Sequence, residues 1–296
     1  MGWLSVGLLS GLSSACEWIN PAEELPAYIS FQHPMTSAPG DTTFRSDTGI
    51  RNIWLYHGGF LQGCYPLESI GQTGSKVIPI LELSRSDFFL EGGIYESGQS
   101  SFQLPYPFWD RITFDWQATV GDTLVLNPVF HYVDPSRYDL PVSVGFEGGG
   151  VDFTGFASGR SGDSTFFKVR TDEAYRGTGS GLVEFGPGNR FFEVVNVTPW
   201  RTLASSNTYA EVTYKGTIPF TIGLIYGSTS SPNARPILTV DPSADWNTVY
   251  VHMIGEIRAI LNANGPDTDF WLWLQADAKD APGYIRFDEI RLIREP

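Results

Sequence analysis

Basic residues are scarce in this chain of 296 residues. Only 19 Lys and Arg residues stand against 33 Asp and Glu residues, which gives a formal net charge of −14 at pH 7. A surface this acidic repels nucleic-acid phosphates and anionic lipid headgroups. We therefore expect no nucleic-acid partner, and attachment to a membrane would require an anchor rather than surface charge.

Cysteine and histidine are also rare. The two cysteines, Cys16 and Cys64, have neither metal-site nor CxxC spacing, and the four histidines are isolated. The sequence has no HExxH, GxSxG or P-loop motif, and no pair among its 33 acidic residues stands out for glycoside hydrolysis. It therefore predicts no catalytic residue and a protein that is not an enzyme.

Aromatic residues, glycine and proline are abundant instead. Phe, Trp and Tyr make up 14% of the chain, beside 32 Gly and 20 Pro. Short apolar runs between glycine- and proline-containing turn signals are typical of strands. The sequence predicts an all-β protein, with a small N-terminal β-sandwich followed by a C-terminal jelly-roll β-sandwich.

The N-terminal domain is predicted over residues 29–134. Its main signals are a hairpin at 53–67 that turns at Gly58-Gly59, a strand at 76–83, and a hairpin at 110–134 that turns at Gly121-Asp122. The segment LPYPFW at 104–109 reads as an extended connector, because it holds two prolines and three aromatic residues. We expect this connector to pack between the domains or against a partner.

The C-terminal domain is predicted over residues 142–296, after a boundary at 132–141 that is rich in charge and contains two prolines. Its predicted strands are 208–216, 219–227, 235–241, 248–254, 269–277 and 283–293. A helix of about two turns is predicted near residues 254–261, because apolar residues there recur at helical spacing before Asn264-Gly265.

The N-terminus reads as a targeting signal. Residues 1–15 are apolar or small and uncharged, and Leu12-Ser13-Ser14-Ala15-Cys16 resembles the lipobox of bacterial lipoproteins. The resemblance implies a signal peptide at 1–15, a lipidated Cys16 held in a bilayer, and a tether at 16–28. It also implies location at the outer membrane, on its periplasmic face or at the cell surface. Two alternatives stay open: a buried N-terminal strand or helix, and a disulfide between Cys16 and Cys64.

Three short stretches of the second domain resemble the galactose-binding-like jelly rolls of carbohydrate-binding modules. They are the opening pair Phe146-Glu147, the segment GTGSGLV at 177–183 and the terminal strand FDEIRL at 287–292. The segment IWLYHGGFLQGCYPL of the first domain resembles small sandwich domains of Bacteroidota outer-membrane lipoproteins, and the layout resembles two-domain lipoproteins of that phylum. The resemblance implies a fold but no particular function, since such folds host many.

The resemblance to these modules also implies a structural calcium ion held by Glu147 and Asp288. The sequence pattern supplies a separate indication, because the apolar residues of 285–287 and of 290–292 have opposite parity along one strand. Such a change predicts a β-bulge at Asp288-Glu289, which can direct a carboxylate toward an ion. Calcium requires about six to eight oxygen ligands, so ordinary solvated acids are the alternative.

Tryptophan supplies the candidate ligand platform. Alternation in FWLWLQ at 270–275 puts the Phe and Leu residues on one strand face and Trp271, Trp273 and Gln275 on the other. If the first face is core, the second could stack on sugar rings. Trp200 and Trp246, beside other strands, are further candidates for ligand binding. Burial beneath the other domain or beneath loops is the alternative.

Three hypotheses for function follow. The leading one is a non-catalytic, lipid-anchored outer-membrane protein that presents its sandwich surfaces as an accessory subunit of an outer-membrane complex. The alternative is a carbohydrate-binding lipoprotein that uses the aromatic platform of the jelly roll. The expected partner is accordingly an outer-membrane protein or a glycan, and a carbohydrate-active enzyme ranks third.

Overall fold

The computed structural model describes residues 25–32, 34–37, 44–46, 49–67, 76–148, 150–156, 163–228, 231–279 and 281–296. The predicted signal peptide at 1–15, Cys16 and most of the expected tether lie outside these ranges. Strands dominate the described residues, so the predicted all-β class is confirmed. No helix within these ranges is both long enough and apolar enough to cross a membrane.

Eleven strands precede residue 131 in the described part of the chain. They are β1 (Ala27–Phe31), β2 (Met35–Ser37), β3 (Phe44–Ser46), β4 (Asn52–His57), β5 (Phe60–Pro66), β6 (Lys76–Ile80), β7 (Asp87–Tyr95), β8 (Gln103–Pro105), β9 (Ile112–Asp115), β10 (Thr123–Leu126) and β11 (Val129–Phe130). One sheet has the order β5-β4-β7-β8, with β9 also paired to β7, and the others are β10-β1-β6 and β11-β2-β3. Their apolar faces enclose one core, which includes Ile29, Leu55, Ile80 and Leu90.

The remaining described strands form a two-layer sandwich with one helix. They are β12 (Asp139–Val144), β13 (Phe153–Gly155), β14 (Ser164–Thr165), β15 (Lys168–Arg170), β16 (Ser180–Phe185), β17 (Phe191–Asn196), β18 (Thr208–Gly216), β19 (Phe220–Ser228), β20 (Ser231–Val240), β21 (Ser243–His252), β22 (Phe270–Asp277) and β23 (Gly283–Arg294), with α1 at Ile254–Asn264 and a 3-10 turn at Pro135–Arg137. The middle sheet is β15-β16-β23-β18-β21, with β12 also on β23. The outer sheet is β13-β17-β22-β19-β20, with β14 on β17.

The middle sheet lies between two cores. In β18, Ala210 and Val212 pack into the sandwich core with residues of the outer sheet. The alternate residue Tyr209 belongs to the N-terminal core, because successive side chains of a strand point to opposite faces. The middle sheet is therefore buried on both faces where the N-terminal sheets cover it.

The connector at 104–109 supplies much of that cover. The ring of Tyr106 meets those of Tyr209 and Tyr250 at centroid distances of 5.3 and 4.8 Å, and the ring of Trp109 meets that of Tyr250 at 5.8 Å. Edge-to-face contacts of this kind add about 0.5–1.5 kcal/mol per pair beyond the burial of apolar area. The predicted packing of this aromatic connector between the two parts of the chain is confirmed.

Several local predictions are confirmed. The hairpin at 53–67 is β4 and β5 around Gly58-Gly59, whose φ angles of 57° and 79° favour glycine. The predicted helix is α1, which buries Ile257, Ile260 and Leu261 and ends at Gly265. It runs for 11 residues rather than the expected two turns.

Two predictions require correction. Residues 110–134 do not form a hairpin, because β9 pairs with β7 while β10 pairs in parallel with β1 in a different sheet. The turn signal at Gly121-Asp122 is thus part of a crossing between sheets. The tether expected to extend to residue 28 is also too long, since β1 begins at Ala27 and pairs with β6 and β10.

Candidate functional site

The predicted bulge on the last strand is present. Glu211 and Thr213 of β18 are opposite Arg291 and Asp288 of β23, so two steps on one strand match three on the other. Glu289 supplies the extra residue and has a φ of 50°. The bulge lets both ends of β23 bury apolar side chains in the same core.

Glu147 and Asp288 anchor the loop at 173–179 through hydrogen bonds. The Glu147 carboxylate accepts from the Thr178 hydroxyl at 2.8 Å and from the Thr178 and Gly179 N–H groups at 2.9–3.0 Å. Asp288 accepts from the Tyr175 and Arg176 N–H groups at 2.8 and 2.9 Å. A Cβ on Gly179 would lie 2.2 Å from the carbonyl oxygen of Phe146, so the loop needs glycine there.

The carboxyl groups of Asp288 and Glu147 have pKa values shifted in opposite directions. Burial raises the pKa of Asp288 to about 7, against the opposing effect of the Arg176 and Tyr175 N–H donors, and the nearby Glu147 carboxylate adds to the rise. Burial also acts on Glu147, but the hydrogen bonds from Gly179 and Thr178 outweigh it and hold its pKa below the ordinary value. The loop therefore places one easily ionised carboxyl beside one that resists ionisation.

This arrangement does not fit a calcium site as it stands. The carboxylate oxygens of Glu147 and Asp288 face N–H donors, whose positive ends would repel a cation. Among the residues that the structure describes, no group of three or more His, Cys, Asp or Glu side chains has the spacing to hold a metal. The described residues therefore give no support to calcium at Glu147 and Asp288, which stays an expectation from the sequence alone.

The predicted tryptophan platform lies on the outward face of the outer sheet. Trp271 and Trp273 point away from the sandwich core, as alternation predicts, and form a small cluster with Val195, Ile225 and Phe156. Their exposures are only 8% and 5%, so the rings are covered and offer little open surface for stacking. Gln275 is half-buried on the neighbouring row, opposite Glu193 and Thr221.

The other two predicted tryptophans lie elsewhere. Trp200 is a core residue rather than a surface one, because its ring stacks on Phe270 at 5.2 Å inside the sandwich. Trp246 is half-buried on the middle sheet, with the Tyr175 ring at 6.0 Å and the Lys215 Nζ at 5.9 Å. The five predicted ligand-binding residues therefore occupy three places, and their role in binding stays a prediction.

A pocket of about 210 Å³ opens where the N-terminal sheets meet the edge of the middle sheet. One wall comes from the N-terminal sheets, with Arg51 before β4 and Tyr95 at the end of β7. The opposite wall comes from the sandwich, with Tyr214 of β18 and Asn247 of β21. The other lining residues are Gly49, Ser97, Gly98, Leu238, Thr239, Val240, Asp241, Thr248, Val249 and Tyr250.

Hydrogen bonds join the two walls of this junction pocket. An Arg51 guanidinium nitrogen donates to the Asn247 side-chain oxygen, and the Arg51 Cζ lies 5.8 Å from the centre of the Tyr95 ring. The Asn247 amide donates to the Tyr214 hydroxyl at 3.4 Å, and that hydroxyl donates to the Asp241 carbonyl at 3.0 Å. At the rim, the Ser97 N–H donates to the Tyr250 carbonyl at 2.8 Å.

The pocket combines aromatic walls with planar polar side chains. Tyr95, Arg51 and Asn247 are half-buried, so each is held in place while part of its surface stays accessible. Asp241 is exposed at the edge. Pockets that bind small molecules are typically apolar with a few fixed polar groups. This one can bind a small polar ring by apolar contact and by hydrogen bonds, and it offers no nucleophile paired with a base.

Sequence reasoning missed this pocket. Its lining comes from five separate segments that only the folding of both parts of the chain brings together. No local signal identifies Arg51, since Arg111 and Arg190 also directly precede strands.

Comparisons with known proteins return β-sandwich carbohydrate-binding modules. One solved structure is described as the structural basis for the promiscuous specificity of carbohydrate-binding modules from the β-sandwich superfamily. It is 11% identical, with a TM-score of 0.37 and coverage of 92% of this chain and 99% of that one. The family 30 module of a Clostridium thermocellum cellulosomal cellulase matches at 16% identity, with a TM-score of 0.31 and coverage of 52% and 92%. A Caldicellulosiruptor saccharolyticus module in complex with mannohexaose matches at 12%, with a TM-score of 0.34 and coverage of 51% and 94%.

No family model matches the chain, and no curated protein matches its sequence. TM-scores below 0.5 at these identities transfer neither a ligand nor a binding site. Any assignment of function therefore has to stand on the side chains of this protein.

Proposed function

We propose that this protein is a non-catalytic glycan-binding protein and that a sugar ring binds in the junction pocket. The observation that carries the proposal is the pairing of Tyr95, Arg51 and Asn247 around a space of about 210 Å³. Sugar rings have apolar C–H faces and a belt of hydroxyls, so they suit an aromatic wall beside groups that donate and accept hydrogen bonds. The volume lies below the usual range of drug-sized sites, about 300–1,000 Å³, and suits one ring.

The size of the site also sets the expected affinity. A single ring contacts few side chains, and binding has to overcome the loss of translational and rotational freedom. We therefore expect weak binding, with a Kd of about 0.1–1 mM for a short oligosaccharide, which corresponds to roughly −4 to −5.5 kcal/mol. Several molecules on one membrane would strengthen attachment to a polymer by avidity.

The test is calorimetric titration of the chain from residue 16 onward with a panel of neutral and acidic oligosaccharides. Asn247→Ala should weaken binding at least tenfold, because it removes a group that contacts both walls. The matched control is Asn233→Ala, an exposed asparagine on β20 that does not line the pocket. Equal affinity of the Asn247→Ala variant and the wild type would overturn the junction pocket as the site.

The predicted platform gives a second arm to this experiment. A double variant, Trp271→Ala with Trp273→Ala, tests the outward face of the outer sheet, where the rings are nearly covered. If the junction pocket is the site, the folded double variant should bind the oligosaccharides with nearly the affinity of the wild type. Loss of binding in the double variant together with normal binding by Asn247→Ala would move the site to that face.

Lipid anchoring belongs to the same proposal. We propose that Cys16 carries acyl chains that hold the glycan-binding domains at the outer membrane, since the net charge of −14 gives no attraction to anionic headgroups. Mass spectrometry of the native N-terminus tests this directly. An unacylated chain that retains residues 1–15 would refute it, whatever the outcome of the glycan titrations.

One observation favours a second function, docking as an accessory subunit on an outer-membrane protein. Leu25, Leu81 and Val120 line a groove on the N-terminal part of the chain and are 68%, 62% and 56% exposed. Exposed apolar groups that cluster in this way are typical of interaction surfaces. Co-purification from detergent with a membrane protein, lost in Leu81→Glu but kept in Asn247→Ala, would support this function.

A further inference from the structure

The junction pocket contains one cation, and that cation has no carboxylate partner within the described residues. No ion pair of Arg51 occurs there, whereas Arg111, Lys168, Arg190, Arg201, Lys215, Arg235, Arg286, Arg291 and Arg294 each contact a carboxylate within 4 Å. Among the described cations without such a contact, which also include Arg85, Arg137, Arg170, Arg258 and Lys279, Arg51 is the one that lines the junction pocket. Arg51 instead contacts an amide oxygen and an aromatic ring.

These contacts orient the guanidinium toward the pocket without neutralising it. The Asn247 side-chain oxygen takes one of its five N–H donors, and its Cζ lies over the Tyr95 ring, 5.8 Å from the ring centre. A guanidinium held in this way can present two parallel donors to a carboxylate, which is the geometry of the strongest arginine contacts. Because Arg51 is half-buried, salt would screen such a contact less than it screens a surface pair.

The remaining lining groups suit the rest of a sugar ring. Tyr214 and Asn247 supply groups that donate and accept hydrogen bonds, and the Ser97 side chain lies at the rim. Asp241, the one acidic residue in the lining, is exposed at the edge and would repel a second negative charge there. The pocket thus favours one anionic group, on the side of Arg51, in a ring that is otherwise neutral.

We infer that the ring bound in the junction pocket carries a carboxylate, as in a hexuronate, and that Arg51 binds this carboxylate. The inference rests on the proposed function, since it names the chemical class of the glycan. It makes Arg51 the residue that distinguishes acidic from neutral sugars, while Asn247 and Tyr95 serve both.

The test compares ligands that differ only in this charge. The methyl glycosides of galacturonic, glucuronic and mannuronic acid are titrated beside their methyl esters, which keep the ring and remove its one negative charge. The wild type should bind one of the free acids at least tenfold more tightly than its ester. The affinity for the acid should fall as NaCl rises from 50 to 500 mM, and the affinity for the ester should not.

Variants assign the preference to Arg51. Arg51→Gln should abolish the preference for the acid, so that this variant binds acid and ester with affinities within about threefold of each other. Arg51→Lys should keep part of the preference, because lysine retains the charge but not the paired donors. The matched control is Arg85→Gln, since Arg85 also lies over an aromatic ring, Phe60 at 5.7 Å, and donates to a backbone carbonyl outside the pocket.

The outcomes separate the two proposals. Equal binding of acid and ester by the wild type, or a preference that survives Arg51→Gln, would overturn the inference and leave glycan binding intact. Binding of no acidic and no neutral oligosaccharide by the folded wild type would overturn both. If Arg51→Gln does not fold, the Arg51→Lys variant and the salt series still decide the question.

Discussion

The two outward faces of the C-terminal sandwich both carry aromatic rings beside a buried glutamate, but they are covered differently. On the middle sheet, Glu211 is 1% exposed beneath the N-terminal sheets. On the outer sheet, Glu193 is 7% exposed beside the Trp271 and Trp273 cluster. The same residue types therefore form an interface between two parts of the chain in one place and a self-contained cluster in the other.

The two glutamates also differ in how many partners they have. Glu211 accepts hydrogen bonds from the Tyr106 hydroxyl, from the Tyr132 hydroxyl at 2.9 and 3.0 Å, and from an Arg291 nitrogen at 3.3 Å. The Glu193 Oε1 accepts from the Trp273 Nε1 at 3.1 Å, and its Oε2 has no partner within the described residues. A buried charge is tolerated when it is paired and is costly when it is not, so the two sites should respond very differently to mutation.

The largest effect is expected at Glu211. Glu211→Gln should lower the free energy of unfolding by about 3 kcal/mol, because it removes a buried charge that Arg291 contacts. This loss lies at the lower end of the roughly 3–5 kcal/mol that breaking a buried ion pair costs, because Arg291 keeps its contact with Glu289. Chemical denaturation measures it. The control is Glu184→Gln, whose exposed pair with Lys168 should contribute no more than about 1 kcal/mol.

Burial, followed by the nearby Glu211 carboxylate, also holds the pKa of Tyr106 well above its ordinary value. Tyr106 therefore stays protonated and keeps donating to Glu211. A loss below 1 kcal/mol in Glu211→Gln would mean that the interface between the two parts of the chain does not depend on this network.

The next effect is expected on the outward face of the outer sheet. Trp273→Ala should lower the free energy of unfolding by about 2–3 kcal/mol. This is no more than the low end of the roughly 3–5 kcal/mol usual for a buried tryptophan, because water can enter the space that the ring leaves. The ring also covers Gly223 of the neighbouring strand, where a Cβ would lie 2.8 Å from it. Thermal or chemical unfolding measures the loss, with half-buried Trp246→Ala as the control expected to lose less. Equal losses would show that the outward cluster contributes no special packing.

A third prediction concerns the pH dependence of stability that Asp288 causes, where the loop at 173–179 contacts the middle sheet. The pKa of Asp288 is about 7 in the folded protein, against 3.8 for the unfolded group. Between about pH 4 and 7, Asp288 is protonated in the folded state and ionised in the unfolded state. The free energy of unfolding should therefore fall as pH rises through this window. The slope from this group should be at most about 1.4 kcal/mol per pH unit.

Asp288→Asn should flatten this slope, because the asparagine cannot release the proton. Denaturation midpoints between pH 4.5 and 7.5 measure the change, and Asp245→Asn, at an exposed position, should leave the slope unaltered. An unchanged slope in Asp288→Asn would assign the pH dependence to other groups.

The same comparison shows which features could be predicted from sequence. The β4–β5 hairpin, helix α1 and the bulge at Asp288-Glu289 depend on turn residues and on periodicity within one segment, so their signals are local. The outward direction of Trp271 and Trp273 also follows from alternation alone. Their near-complete cover does not, because what lies over a strand face is decided by residues distant in the chain. The junction pocket could not be predicted for the same reason, since Arg51 and Asn247 are 196 residues apart in the sequence.

The smallest effect, and the sharpest test of the comparison, is expected at Glu193. Glu193→Gln keeps an oxygen that can accept from the Trp273 Nε1 and removes a charge whose second oxygen has no partner within the described residues. Weakening the hydrogen bond to Trp273 lowers the free energy of unfolding, whereas removing the charge on the unpartnered oxygen raises it, so the net change should be less than about 0.5 kcal/mol in either direction. The same isosteric substitution at Glu211 should cost several times more. If both variants lose the same stability, burial alone decides the cost, and the Tyr106, Tyr132 and Arg291 contacts do not distinguish the face beneath the N-terminal sheets from the outward face of the outer sheet.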